Sequence, residues 1–421
     1  MKRTAISVLT LGVTQVISWG ILYYAFGVMA PAIQRDLGLS AATIYGAFSW
    51  AVLVAGLASI PVGVLIDRHG GSRVMAAGSL LAGVGIYVLS GSRDVSAYYF
   101  AWTLIGIGMA MSLYEAAFAT LNRSLHEAAR KAISNVTLAG GLASTLFWPL
   151  TGWLLGRLDW RHTCLAFAIT LLAVCMPLHA SLNDGKAMPT VRQSMERRHF
   201  ALSEALAHPV FWLLASVFAT HAFIFSALSV HMIPLLSKMG HSEQLVLNLL
   251  AIIGPMQVAG RLIERMFADR VSPRSVGVLT IAGLPAAIGV LYAMGTSAWA
   301  VMLFCVLYGL SNGVLTILRG TLPLSIFGHG NYGAISGALA APSLIAKSGA
   351  PLLLALMLRE DNHRLLLGGL FGLAALSFLL YLLAIRRSRA ERSFDWYPDS
   401  PKAFAPGGMD GRAANDIDAA P

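Results

Sequence analysis

Apolar residues along this chain fall into long stretches, not into the alternation of a half-buried strand or the heptads of a coiled coil. Twelve stretches reach the ~20 residues an α-helix needs to cross a bilayer. They lie near residues 6–30, 41–66, 74–92, 97–121, 132–156, 162–182, 209–235, 245–267, 275–294, 298–318, 333–358 and 363–385. Almost nothing polar separates the ninth from the tenth. The first is too long, and lacks a clear cleavage site, for a removable signal peptide, so it is expected to remain as a helix. A polar break at 183–206, carrying Asn183, Asp184, Lys186, Arg192, Glu196, Arg197 and Arg198, divides the stretches evenly. The expected fold is an all-α membrane protein of twelve transmembrane helices in two pseudo-symmetric six-helix bundles. The N-terminal bundle occupies 1–182, a cytoplasmic linker 183–206 and the C-terminal bundle 207–386. Residues 387–421 open with Arg386, Arg387, Arg389 and Arg392 at their border. They continue as a Pro, Gly, Asp and Ala mixture that buries no core, and a disordered cytoplasmic tail is expected.

The two halves repeat at a constant offset of 202 residues. Ala132-Ile133-Ser134 returns as Ala334-Ile335-Ser336, Asp67-Arg68 as Asp269-Arg270, Pro149 as Pro351 and Arg157 as Arg359. Two similar helical halves in the same order are the plan of carriers built around a central path.

Composition narrows the class. The chain is 57% apolar and 12% charged, against about 25% charged in average soluble proteins. The formal charge of +10 follows topology: with both termini cytoplasmic, the outer loops hold only seven of the 30 Lys and Arg residues. That is the positive-inside asymmetry. Nucleic-acid binding would need a basic face on a folded soluble domain, and none is visible. Cys164, Cys175 and Cys305 all sit inside apolar stretches and imply no disulfide. Glycines such as Gly106, Gly108, Gly140 and Gly141 read mostly as close-packing positions between helices. No phosphate-binding loop, His-Glu-x-x-His metal pair or Gly-x-Ser-x-Gly elbow appears, so neither ATP drive nor enzymatic activity is expected, and no cofactor is implied.

Between the second and third stretches stands Gly63-Val-Leu-Ile-Asp67-Arg68-His-Gly70-Gly71-Ser-Arg73. With the twelve-stretch layout, it resembles the loop motif of the major facilitator superfamily. The resemblance implies that Gly63 allows close helix contact, that Asp67 caps and pairs across the interface between bundles, and that Arg68, Gly70 and Arg73 hold the loop at the cytoplasmic face. Gly71 and Ser72 replace expected basic residues. The alternative for this loop is a simple solvated, positive-inside turn.

A charged side chain near the bilayer centre costs roughly 2.5–3.5 kcal/mol even on a mild scale, so such residues are functional candidates. Counting the helical rise from the nearest polar end puts Arg261 and Glu115 each about 12 Å deep. Lys347 comes out about 18 Å from the opposite side, again near the midplane. Two cations and one acid at one level describe an anion site, with Arg261 as a planar fork and Lys347 as a point charge. The alternative is structural ion pairing, Arg261 with Glu264 and Lys347 with Glu115. Trp19 and Tyr23 share one face of the first helix with Gln15, where they wall a cavity or pack helices equally well. His221 lies mid-span on the seventh helix. Arg319 is expected at the cytoplasmic rim.

A basic residue on the eighth span joined to a lysine on the eleventh resembles the monocarboxylate transporter and oxalate:formate antiporter branch of the superfamily. The resemblance implies that Arg261 binds the substrate carboxylate and that Lys347 matches the lysine of the oxalate exchangers. Gln257, Tyr23, Trp19 and His221 are added as lining candidates from their positions on the helices. The acid that monocarboxylate carriers place four residues before the arginine is here Gln257, which moves the proton-carrying role to Glu115. The expected function is secondary active transport of a small organic anion, a mono- or dicarboxylate, across a bacterial inner membrane by proton coupling or anion exchange. The expected partners are that substrate, a proton or counter-anion and membrane lipids; the expected state is a monomer. The rivals are an exporter of drugs or metalloids and a non-transporting membrane sensor.

Overall fold

The computed structural model describes residues 2–182, 200–268, 270–357 and 363–395. Among the described residues all regular elements are helical. Eleven are long and apolar enough to cross a membrane. They are α1 (Ala5–Leu37), α2 (Ala41–His69), α3 (Gly71–Gly91), α4 (Val95–Leu125), α5 (Ala129–Arg157), α6 (Trp160–Ala180), α7 (Pro209–Ser229), α8 (Gln244–Phe267), α9 (Pro273–Met294), α10 (Ala298–Phe327) and, after one further helix, α12 (His363–Ser388). That further helix is α11 (Tyr332–Met357), of 26 residues.

Several helices outrun the expected ends. α10 passes Arg319 and continues to Phe327, because apolar Leu322, Leu324 and Ile326 follow that single charge. The last helix carries on through the basic cluster as far as Asp395. The first residues of the expected disordered tail are therefore helical, a correction with a simple cause: nothing there breaks a helix. Residues 396–421 of that tail, 183–199 of the linker and Asp269 of the second loop motif lie outside the described residues. The end of the linker forms a short helix, Leu202–Ala207, before α7.

Side-chain caps set the tight turns. Ser40 accepts the N–H of Thr43 at 3.1 Å before α2, and Asp94 that of Ala97 at 2.9 Å before α4. Asp159 accepts that of His162 at 2.8 Å before α6, which holds its carboxyl below the usual range. Each satisfies one orphan donor of a helix N-terminus. Gly70, at φ 89°, ends α2 in a conformation that L side chains avoid and lets α3 start at once.

Buried apolar residues segregate by half. One cluster runs from Leu11 to Leu182 and adds Ile317 and Tyr332. Two others lie wholly within residues 205–385. Outward-facing Leu9, Leu57, Leu279, Leu365 and Leu379 are at least 60% exposed. With that many apolar helices, an apolar exterior is the mark of a lipid-facing surface.

The halves meet chiefly along α2 with α11, and further where α11 meets the later part of α4 (Tyr114–Leu125) and where the first part of α5 (Ala129–Gly140) meets α10 and the later part of α8 (Ile253–Phe267). The α2–α11 contact is backbone against backbone. A β-carbon on Gly63 would collide with the carbonyl of Gly333, and one on Gly337 with that of Ser59. Ser59 Oγ adds a 2.7 Å hydrogen bond to the Gly337 carbonyl. The α5–α8 contact is polar instead. Glu264 accepts from Arg130 at 3.1 Å and from Ser134 at 2.7 Å, and Arg265 donates to Asn135 at 2.8 Å. Both contacts lie toward the end of the molecule that carries the α2–α3 loop.

Candidate functional site

Five spanning helices are interrupted along their length, α6 by a π-helical turn at Leu171–Cys175. α1 opens into a π-helical turn at Gly20–Tyr24, and α4 breaks at Leu113 between Ser112 and Tyr114. α5 breaks at Gly141-Leu142 and α8 at Ala251-Ile252. Such turns free backbone groups and re-aim side chains. The carbonyl of Ser112 at the α4 break is recaptured by the Gln15 amide, which donates to it at 2.7 Å. The extra residue in the α1 turn lets adjacent Tyr23 and Tyr24 join the same ring cluster.

That cluster is the wall of the site. Trp19 lies 5.4 Å from Tyr23, 6.3 Å from Tyr24 and 5.0 Å from Tyr114, ring centre to ring centre. Tyr23 and Tyr24 are 5.3 Å apart. All four rings belong to the first half. The cations come from the second.

Arg261 is 6% exposed. Its Nε donates to the carbonyl of Gly313 at 3.4 Å, and its guanidinium fills the space over Gly141 that a side chain would need. The Tyr114 hydroxyl fills the matching space over the adjacent Gly140, so Arg261 and Tyr114 sit over neighbouring glycines. Lys347 lays its ammonium 4.1 Å from the centre of the Tyr23 ring and 5.8 Å from that of Trp19. Among the described residues neither cation makes an ion pair. The alternative pairings do not form: Glu264 turns to Arg130 and Ser134, while Glu115 pairs with Arg319 at 3.0 Å. An aromatic face is thus the nearest company of Lys347, and a cation held there keeps its charge uncancelled.

Arg319 is a correction to the expected rim position. It lies well inside α10, about 12 Å before its end, and with Glu115 and Ser336 lines a small cavity between the halves. The main chain of Gln257 packs against Gly313, beside the Arg261 anchor. His221 is buried within the second half. Its ring nitrogen Nδ1 meets the Val217 carbonyl at 2.9 Å and Ser377 of α12 at 3.3 Å, and its ring borders a cavity with Tyr308, Ser311 and Asn312. Trp19, Tyr23 and Lys347 therefore come together, Arg261 reaches the same ring cluster by way of Tyr114, Glu115 stands next to Tyr114, and His221 looks into a separate pocket.

In the loop motif, both Asp67 oxygens accept backbone N–H groups of α11, from Gly333 at 3.0 Å and Ala334 at 2.8 Å. Arg123 donates to the Asp67 carbonyl. Arg68 and Arg73 are exposed. Among the described residues no group of three or more His, Cys, Asp or Glu is placed to hold a metal ion.

Sequence reasoning missed Tyr24, Tyr114 and the Arg130–Glu264–Ser134 contact. One signal was available. The repeated tripeptide marks the crossing points, since Ser134 reaches Glu264, Ala334 meets Asp67 and Ser336 lines the cavity beside Glu115.

The chain belongs to the major facilitator superfamily, whose family model matches residues 11–341. It is an integral, multi-pass membrane protein with that family's transporter fold. An uncharacterized 38 kDa protein in the 23S RNA operon of Thermoproteus tenax is 28% identical over 313 residues, 72% of this chain and 76% of that one. Monocarboxylate transporter 4 of Gallus gallus is 24% identical over 306 residues. That match covers 68% of this chain and 63% of the relative, and with it the chain resembles the monocarboxylate transporter branch. Among solved structures, the human organic anion transporter MFSD10 superposes with a TM-score of 0.65 at 16% identity, over 90% of this chain and 98% of that one. The proton:xylose symporter XylE gives 0.71 at 12% identity over 92% and 96%. FucP in the outward conformation gives 0.69 at 11% identity over 92% and 99%. At these identities the superpositions establish the fold alone.

Proposed function

We propose that this protein is a secondary transporter that moves a small organic anion across a bacterial inner membrane by alternating access. The observation that carries the reading is that Lys347 and, over the Gly140-Gly141 pair beside Tyr114, Arg261 reach the ring cluster of the other half without an acidic partner for either cation among the described residues. A buried cation without a counter-charge is costly, so its persistence at membrane depth favours an anion that arrives and leaves. Arg261 takes a carboxylate in bidentate fashion and Lys347 adds a point charge.

In this reading α11 is the twelfth crossing helix, residues 1–182 and 207–386 are the two rocking bundles, and both termini are cytoplasmic. The contacts of Asp67 with α11 and of Glu264 with α5 then close the cytoplasmic end, and the anion enters from outside. Glu115 carries the coupled proton. Its ion pair with Arg319 joins the halves, so protonation would weaken the closed end at the step where it must open. The resemblance to monocarboxylate transporter 4 agrees with a carboxylate cargo. A sugar cargo, as in the proton:xylose symporter, would leave both cations uncompensated.

Flux into proteoliposomes of labelled mono- and dicarboxylates, with and without an inward proton gradient, tests the reading. Saturable, gradient-stimulated carboxylate uptake is expected. Uptake of sugars with no carboxylate flux would contradict it.

A further inference from the structure

The four rings form a continuous apolar wall that also extends past the cations. Tyr23 reaches Phe48 at 5.2 Å, and Tyr24 reaches Trp148 at 5.9 Å. Lys347 rests on this wall. An ammonium prefers a hydrogen-bonding oxyanion over a ring face. When a carboxylate docks at Arg261, the lysine is drawn to it, and the faces of Tyr23 and Trp19 are uncovered. They then need an apolar, preferably planar, group to replace the lost contact.

The charged groups around the site are already engaged, and so is one amide donor. The Gln15 amide holds the Ser112 carbonyl, Glu115 holds Arg319, and Glu264 holds Arg130 and Ser134. Arg265 is held by Asn135. A second carboxylate therefore finds no further free cation among these groups, and of the Gln15 side chain only the oxygen is left over. One carboxylate, with two oxygens and about four lone-pair directions, is able to accept from Arg261 and Lys347 together. The Trp19 indole N–H is buried in the cluster and has no acceptor, so a donor is left over for a ligand oxygen.

From the reading of Arg261 as carboxylate anchor, on which this step rests, we infer that the cargo is an aryl monocarboxylate. Its carboxylate joins Arg261 and Lys347, and its ring takes the place of the lysine on Tyr23 and Trp19.

Equilibrium titration of the purified full chain in detergent with benzoate, cyclohexanecarboxylate, acetate and succinate tests this. Benzoate is expected to bind about 5- to 10-fold more tightly than cyclohexanecarboxylate, the range that one or two aromatic contacts supply. Acetate and succinate are expected to bind more weakly still. Tyr23→Leu should bring the benzoate to cyclohexanecarboxylate ratio near one, Tyr23→Phe should keep it, and Arg261→Ala should abolish binding of every probe. If succinate, acetate or cyclohexanecarboxylate binds as well as benzoate while depending on Arg261, the aryl assignment falls and the anion reading stands. If no probe binds, or Arg261→Ala changes nothing, the anion reading itself falls. The probe ratio on the unmodified chain decides the matter even if Tyr23→Leu does not fold.

Discussion

The carboxylate of Asp67 on α2 caps α11 of the other half, taking the N–H of Gly333 on one oxygen and of Ala334 on the other. One side chain thus satisfies two orphan donors of a helix N-terminus and ties the halves together at one end. Asn has a single acceptor oxygen and turns an NH2 toward the second N–H. Asp67→Asn should cost the closed end about 1–2 kcal/mol, a 5- to 30-fold loss of its population. Thiol labelling of Ala340→Cys, which borders the cavity between the halves, should rise accordingly. Cys164, Cys175 and Cys305 are buried and free, so the background is low. Unchanged labelling would mean the cap does not hold the halves.

Gly63 and Gly152 make a matched pair. A β-carbon at Gly63 would strike the backbone of Gly333, whereas at Gly152 it meets nothing within 4 Å. Backbone atoms cannot swing aside as a side-chain tip does. Gly63→Ala should cut flux at least ~10-fold, the effect of about 1.4 kcal/mol at a required contact, while Gly152→Ala should match the parent. Equal flux in both variants would show that the α2–α11 approach is not needed.

Glu264 is 2% exposed at its side chain and Arg130 19%. Removing one partner leaves a buried charge alone, at a cost of about 3–5 kcal/mol, whereas replacing both with apolar groups is often near neutral. Thermal unfolding in detergent should show Arg130→Met far less stable than the parent and Arg130→Met/Glu264→Leu largely restored. A double variant no better than the single one would contradict this pairing.

Glu115→Gln removes a titrating group without changing shape. If Glu115 carries the coupled proton, anion exchange at equal concentrations should persist, while uphill uptake driven by a pH gradient should fall to the no-gradient level. Retained gradient-driven accumulation would assign the proton to another group.

The helices were legible because an apolar run of membrane length is seldom anything but a crossing helix. Their ends were less so. Arg319 looked like a helix end, but one charge did not interrupt an apolar run that resumes at Leu322. The depth count brought Glu115, Arg261 and Lys347 to one level, yet it carries no information on azimuth. Glu115 consequently faces Arg319, and Lys347 faces rings. The break at Leu113 carries no proline or glycine, so Tyr114 could not be foreseen beside Arg261. That at Ala251-Ile252 did have a signal, since Pro255 lacks the N–H that would bond the Ala251 carbonyl. Gly140-Gly141 did announce the α5 break, though it read as packing. The Asp67 motif was the most legible local feature, since a carboxylate beside a helix end has few other uses.

The central claim is that Arg261 holds the anion. Initial uptake of a labelled carboxylate should be compared between the unmodified chain and Arg261→Ala in proteoliposomes, at equal insertion and with matched unfolding temperatures. The account predicts loss of at least ~100-fold, the scale of about 2.7 kcal/mol for a charge-assisted bidentate contact. Flux by Arg261→Ala at the rate of the unmodified chain would contradict it.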